Sequence, residues 1–149
     1  MDFLRRFLLA FRGFWAKTST AAPVSASEPL ARFLVRSGQF SRAKDCVKPE
    51  AFAPPSDGQL SVYRVFKLIA SQIFDLAKKS RPGANVYGFA EILVFQVREV
   101  GLNIDPDNDP PRHATVTGWP DGKSARLSLC QKLASKALLR LDPDADPLE

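Results

Sequence analysis

The residues best suited to chemistry lie in one stretch, residues 110–124, with the sequence PPRHATVTGWPDGKS. It contains His113, the only histidine of the chain, and Trp119, one of two tryptophans. A histidine titrates near neutral pH and can act as a general acid or base once another group orients it. Arg112 and Lys123 lie close to it in sequence and would attract an anion. The stretch therefore predicts an anion-binding site or an acid–base centre around His113.

The same stretch has the pattern of a strand that leads into a helix. Residues 112–117 are rich in Thr and Val, which favours extended structure, and period-two alternation turns Arg112 and His113 to opposite faces. Asp121 is expected to cap the following helix, whose free N–H groups favour an anion. The two prolines that open the stretch lack N–H donors, so they fit only the beginning of a strand or an edge strand, and we favour the edge position. The pattern favours an ordinary strand–helix corner in which His113 and Arg112 make structural hydrogen bonds.

A ligand site in this chain would combine positive charge with aromatic stacking. Such a surface suits a phosphate-bearing ligand or nucleic acid. The predicted ligand-binding residues are Lys48, Arg64, Arg112, His113, Trp119 and Lys123. For Trp119, the sequence favours instead a place in the core at the end of the sheet.

Metals, cofactors and catalytic residues receive no support from the motifs. A lone histidine cannot build a usual zinc site. The acidic loop DPDNDPP resembles the start of a calcium loop, but Pro110 and Val116 stand where glycine and glutamate are required. GWPDGKS departs from a phosphate-binding loop because Gly118 is one residue too close to Gly122. We expect no metal and no cofactor, no catalytic residue is assigned, and the sequence leaves open whether the chain is an enzyme.

Residues 1–16 predict an amphipathic helix, with an apolar face at spacings of three and four. That face contains Phe3, Leu4, Phe7, Leu8, Phe11, Phe14 and Trp15, while Arg5, Arg6 and Arg12 lie mostly on the other side. Arg12 makes the apolar run too short to span a membrane. Three interpretations stay open: insertion into a membrane interface, docking in a groove of a partner protein, or packing on the chain's own domain.

Length and charge define the expected domain organisation. The chain of 149 residues suffices for one domain, and its 45% hydrophobic content argues against complete disorder. We expect a flexible linker over 17–29, a globular domain over 30–141 and an acidic tail over 142–149. The net charge of +5 arises from +3 in residues 1–17, +6 in residues 18–141 and −4 in the tail. The basic domain suits an anionic partner.

The periodicity predicts an α+β domain. We expect a small, mostly antiparallel sheet built from segments near 60, 90 and 114, packed by two main helices and preceded by the separate N-terminal amphipathic helix. The two helices are expected at 67–80 and 124–141. The second should direct Leu127, Cys130, Ala134, Ala137, Leu138 and Leu141 to the core. Residues 88–93 predict a short strand followed by a helical turn to Gly101.

Three blocks, VKPEAF, LSVYR and PPRH with the following GWP, resemble blocks of small uncharacterised bacterial proteins. The resemblance covers roughly residues 30–125 and excludes the amphipathic helix. It implies no catalytic residues. It implies that Lys48, Arg64 and His113 belong to one surface.

Two functions follow from these patterns. The first is a small basic interaction module that joins a larger assembly or a membrane surface through residues 1–16. The second is binding of a phosphate-bearing ligand or nucleic acid by the basic domain, which could extend to a small enzyme that uses His113. Cys46 and Cys130 form no metal-ligand spacing, so two free thiols and a cytoplasmic location are expected, with attachment to a membrane surface as the peripheral alternative.

Overall fold

A six-stranded antiparallel sheet organises residues 22–145, the part of the chain that this computed structural model describes. The strands are β1 (Pro29–Leu34), β2 (Phe40–Ser41), β3 (Cys46–Val47), β4 (Leu60–Arg64), β5 (Gly88–Leu93), β6 (Asn103–Asp105), β7 (His113–Thr117) and β8 (Leu138–Leu141). The helices are α1 (Ala70–Ser80), α2 (Val94–Glu99) and α3 (Lys123–Lys136), with short 3-10 helices at Ser37–Gln39 and Pro49–Phe52. The predicted α+β class with an antiparallel sheet is confirmed, whereas the helix predicted over residues 1–16 lies outside the described residues.

The strand order in the sheet is β6-β7-β4-β1-β5-β8, and β2 and β3 form a separate two-stranded ribbon. β1 pairs with β5 along its whole length but with β4 only at Leu30 and Ala31. Beside this short ladder, Arg32 donates hydrogen bonds to the carbonyls of Ala51 (2.8 Å) and Ser61 (3.1 Å). The segment LARFLVRS, residues 30–37, thus contributes most of the central strand β1.

Alternation along the strands divides the core into two layers. On one face, which we call the α3 face, residues of the sheet pack under α3, α2 and the 3-10 helix at Pro49–Phe52; they include Leu30, Val62, Ala90, Ala114 and Val116. On the other, the α1 face, the sheet packs under α1 through Ala31, Phe33, Tyr63 and Phe89. Because both faces are covered, the strands carry apolar residues on both sides.

The last helix is shorter than predicted. A helix was expected over 124–141, but α3 ends at Lys136 and residues 138–141 form β8, which pairs with β5. Leu127 and Leu138, two of the predicted core residues, are 53% and 55% exposed. A short apolar run fits a helix or a strand equally, and here the free edge of β5 decides between them. The N-cap of α3 is Gly122 instead of the predicted Asp121.

Other local predictions are confirmed. The strand expected at 88–93 is β5, and α2 follows it directly. The helix expected at 67–80 begins at Ala70, after Lys67 takes a left-handed backbone with φ of 62°. In addition to these predicted elements, the loop that carries VKPEAF is anchored by the buried side chains of Val47 and Phe52.

Candidate functional site

β7, the strand that carries His113, lies inside the sheet between β4 and β6. The favoured edge position is therefore wrong, and the alternative, prolines at the beginning of the strand, is what the structure shows. Pro110 and Pro111 precede the strand, so the ladder never requires an N–H from them. The carbonyl of Pro110 instead accepts a hydrogen bond from the N–H of His113 (2.9 Å).

Arg112 connects the preceding loop to β7, and its backbone conformation is unusual. Its φ of 73° lies in the left-handed region, which side-chain-bearing residues rarely adopt. Its N–H donates to the side-chain oxygen of Asn108 (2.9 Å), and its carbonyl accepts from the N–H of Arg64 (2.7 Å). Its guanidinium donates to the carbonyl of Arg64 (3.1 Å) and lies over the Phe66 ring, 5.6 Å from the centroid. The side chain of Arg112 is thus engaged at the end of β4.

His113 forms a close pair with Asp107, a residue of the loop between β6 and β7. Nδ1 of His113 lies 2.7 Å from Oδ1 of Asp107, and Oδ2 of Asp107 accepts a hydrogen bond from the Thr115 hydroxyl (3.0 Å). The imidazole also packs edge-on against Tyr63, with centroids 5.4 Å apart. His113 and Thr115 share the α1 face because they are two residues apart in one strand. Two residues of β7, His113 and Thr115, therefore contact the same carboxylate, that of Asp107.

This pairing determines which nitrogen of His113 is free. An ionised carboxylate only accepts hydrogen bonds, so Nδ1 carries the proton and Nε2 holds the lone pair of the neutral ring. Among residues 22–145, Nε2 has no hydrogen-bond partner, and the His113 side chain as a whole is 13% exposed. A histidine oriented in this way can take a proton from a bound hydroxyl or water.

The environment of Asp107 favours its ionised form. Partial burial by itself would raise the pKa of Asp107. The hydrogen bonds from His113, from the backbone N–H of Asp109 and from Thr115 together outweigh burial and hold this pKa below its ordinary value. The carboxylate is therefore charged at neutral pH and keeps the imidazole in place.

Arg64, predicted to bind a ligand, is buried and satisfied within the chain. Its Nε and Nη2 donate to the two carboxylate oxygens of Glu28 at 2.5 and 3.0 Å. Nη1 and Nη2 donate to the carbonyls of Ala22 (2.7 Å) and Pro23 (3.2 Å). The guanidinium thus holds residues 22–28, part of the predicted linker, at the end of β4.

The remaining candidates lie apart from His113. Trp119 is in the core and donates its indole N–H to the carbonyl of Val116 (3.1 Å), as the structural interpretation predicted. Lys123 lines a cavity of about 450 Å³ between α3 and the 3-10 helix that follows Lys48. This cavity is on the α3 face, and alternation along β4 directs Arg64 to that face as well. Arg112, His113 and Lys123 therefore do not border one concavity, and Arg64 does not share a face with His113. Lys48 directly precedes the 3-10 helix Pro49–Phe52, which packs on the α3 face.

Two residues with exposed aromatic side chains adjoin the segment 22–28. Phe66 borders the same small cavity as Ala22 and Arg64, and the N–H of Phe95 donates to the carbonyl of Ala26 (2.9 Å). Phe66 and Phe95 are 41% and 40% exposed, and they are two of the five exposed large hydrophobic residues in the described range. We call these two residues, together with the segment 22–28, the anchor end.

Three side chains that the structure places in buried or hydrogen-bonded surroundings were not identified as candidates from the sequence. They are Glu28, Asp107 and Arg32. Glu28 stands in a stretch with linker composition, which gives no sign of a buried acid. Asp107 is one of several aspartates in a polar loop, and only the fold selects it. Arg32 is half-buried beside Ala51 and Ser61. The pKa of its guanidinium is lowered to about 10, mainly by burial and to a smaller extent by the positive charges of Arg81 and Arg36.

Within residues 22–145, no group of three or more His, Cys, Asp or Glu side chains could hold a metal ion. No helix of that range is long and apolar enough to cross a membrane. Cys46 and Cys130 are both free thiols, as expected. Comparisons of the chain with protein-family models, curated proteins and solved structures found no match.

Proposed function

We propose that this chain is a small basic interaction module that joins a larger assembly or a membrane surface through residues 1–16. One observation supports the proposal: Arg64 fixes residues 22–28 at the anchor end, where Phe66 and Phe95 are exposed. Residue 22, where the described part of the chain begins, therefore lies beside apolar side chains of the domain. A partner or bilayer that receives residues 1–16 meets those side chains as well.

Charge near the anchor end supports the same proposal. Lys67, the residue after Phe66, is exposed. The guanidinium of Arg112 lies over the Phe66 ring. Residues 1–17 add four bases against one acid. Each base near an anionic bilayer contributes about 1 kcal/mol, and stable attachment needs more than one weak signal. An apolar helix face, exposed domain side chains and basic residues together supply several.

The test compares the full chain with a variant that lacks residues 2–21. Its domain should keep its thermal stability, because the contacts of Arg64 begin at Ala22. Sedimentation with vesicles of phosphatidylglycerol and phosphatidylcholine, and with phosphatidylcholine alone, measures membrane attachment. Phe7→Glu should weaken attachment about tenfold or more, whereas Leu9→Glu places the same charge on the opposite side of the predicted helix and should weaken it less.

The outcomes separate the possible partners. Loss of vesicle binding on deletion identifies a membrane surface. If the full chain ignores both vesicles but self-associates or binds a protein through this segment, the partner is a protein. A deletion that costs the domain several kcal/mol and changes no association would show that residues 1–16 belong to the core, and the proposal would fail.

A second candidate is binding of a phosphate-bearing ligand or nucleic acid by the domain, with acid–base chemistry at His113. The observation that favours it is the orientation of His113 by Asp107, which leaves Nε2 without a hydrogen-bond partner among residues 22–145. Binding of single-stranded RNA should weaken steeply with salt and should fall in His113→Ala. A large loss of stability in that variant with unchanged binding would show that the imidazole is only a structural hydrogen-bonder.

A further inference from the structure

Among residues 22–145, β8 is an outer strand of the sheet and pairs only with β5. The N–H of Val94 donates to the carbonyl of Glu28 (3.0 Å), so Val94 directs its backbone hydrogen bonds towards β1. Backbone groups of successive residues in a strand point to opposite neighbours. The even-numbered residues of β5 therefore bond to β1, and its odd-numbered residues bond to β8. Leu138 and Arg140 are the β8 partners of those odd-numbered residues. The backbone N–H and C=O groups of Leu139 and Leu141 therefore point away from the sheet.

The two edge strands of the sheet differ in how well they resist pairing with an additional strand. β6, the opposite edge, has only three residues, with the polar side chains of Asn103 and Asp105 exposed. Short length and charge are the usual means by which proteins blunt an edge. β8 instead contains three leucines and one arginine, and Leu138 is 55% exposed. β8 thus has the features of an edge that another strand can join.

Two cavities flank β8, one on each face of the sheet. The cavity on the α3 face, about 610 Å³, lies between β8, β3 and α3, with Val47 and Ala134 in its wall. The cavity on the α1 face, about 510 Å³, is bordered by Phe74 of α1. Leu139 and Arg140 line both. A strand placed beside β8 would direct successive side chains to alternate faces, so its backbone and its side chains would all find partners.

We propose that β8 binds an extended segment of a partner protein, which joins the sheet as an antiparallel seventh strand with an acidic residue opposite Arg140. The Arg140 side chain is 53% exposed, and its contact with Glu91 is long, at 3.4 Å. Directly opposite residues in an antiparallel ladder interact most closely, so an acid is favoured there. Apolar residues on either side of the acid would enter the cavity on the α3 face.

Charge argues for this occupant over a second copy of the chain. The described residues carry 17 bases against 13 acids, so two copies repel each other. A twofold pairing centred on Arg140 would also place two arginines opposite each other, which is destabilising. Binding at β8 does not depend on attachment through residues 1–16, because the two use different parts of the molecule.

The probe is a synthetic peptide with blocked ends, Val-Thr-Val-Glu-Val-Thr-Val, whose dissociation constant is measured by fluorescence anisotropy on the full chain. Replacing its glutamate by lysine should weaken binding about tenfold. Arg140→Glu should reverse this preference. Asp105→Arg, a charge reversal on the opposite edge, is the matched control and should leave binding unchanged. N-methylation of the peptide, which removes backbone donors, should weaken binding about fivefold or more.

Amide hydrogen exchange and the oligomeric state complete the test. The amides of Leu139 and Leu141 should exchange fast in the free chain and become protected by the peptide. No binding at peptide concentrations up to about 1 mM overturns the proposal, as does binding insensitive to Arg140→Glu. The proposal is also overturned if these amides are already protected in the free chain and dilution of a dimer exposes them, because a second copy then occupies β8. It is overturned in the same way if deletion of residues 2–21 exposes them, because the chain's own N-terminal segment then occupies β8.

Discussion

Arg64 and Glu28, 36 positions apart in sequence, form a buried ion pair in which the guanidinium meets both carboxylate oxygens. The side chains of Arg64 and Glu28 are only 8% and 5% exposed. Neither charge has water as an alternative partner, so each requires the other. The pair therefore controls where the chain enters the domain, since the same guanidinium also binds the carbonyls of Ala22 and Pro23.

Glu28→Gln should destabilise the domain by about 3–5 kcal/mol, because it leaves the buried charge of Arg64 without its counterion. Urea unfolding followed by circular dichroism measures the loss. Glu91→Gln is the matched control: it removes the carboxylate of a more exposed pair with Arg140, and the expected change is below about 1 kcal/mol. Equal effects of the two substitutions would contradict a structural role for the buried pair.

Asp107→Asn should change how stability depends on pH. The pKa of Asp107 is lower in the folded chain, so its contribution is fully present above the unfolded value of about 3.9 and is lost as pH falls through the folded pKa. The difference in unfolding free energy between wild type and variant should thus be largest near neutral pH and shrink in acid. Asp105→Asn, at a neighbouring exposed acid, is the control. A difference that does not vary with pH would refute the prediction.

Gly88→Ala should weaken the attachment of β8. A Cβ at Gly88 would overlap the carbonyl oxygen of Arg140 and crowd the Cα of Leu141, both of them backbone atoms of β8. The expected cost is about 1–3 kcal/mol, measured by thermal unfolding. Gly38→Ala places the new methyl group in open space and serves as the control. If Gly88→Ala were as stable as Gly38→Ala, the close pairing of β5 with β8 would be in doubt.

The two thiols should react at different rates. Cys130 is buried and donates to the carbonyl of Phe52 (3.3 Å), and burial, assisted by the charge of Glu50, raises the pKa of its thiol. Cys46 is only half-buried. Iodoacetamide near neutral pH should modify Cys46 about 100-fold faster, as followed by peptide mass spectrometry. Similar rates would mean that the segment around Cys130 opens readily.

The parts of the fold that were predictable are those decided by local periodicity. β4, β5 with α2, and β7 each carry their pattern in a few consecutive residues, so neighbouring side chains alone indicate them. β8 could not be predicted, because LLRL continues an apolar helical pattern and becomes a strand only through pairing with β5. The edge position expected for β7 was wrong for the same reason, since strand order depends on partners distant in sequence.

The candidate site was predictable only in its central residue. His113 was chosen as the sole histidine, but its partner Asp107 was one of several loop aspartates with equal claim. Arg64 was expected to meet a ligand as part of a basic and aromatic surface, and nothing in the composition of residues 17–29 indicated that Glu28 would neutralise it. Burial of a charge depends on the tertiary structure, and periodicity carries no information on it.

The position of β1 in the sheet has a consequence for synthesis of the chain. Among residues 22–145 it is the first strand made, yet its partners β4 and β5 follow much later, and Pro29 finally pairs with Leu93. Such distant pairings make folding slow, because long loops must close before any contact forms. Until then the strand exposes Leu30, Ala31 and Leu34, all fully buried in the folded domain. The nascent chain should therefore depend on chaperones at this strand more than at any later one.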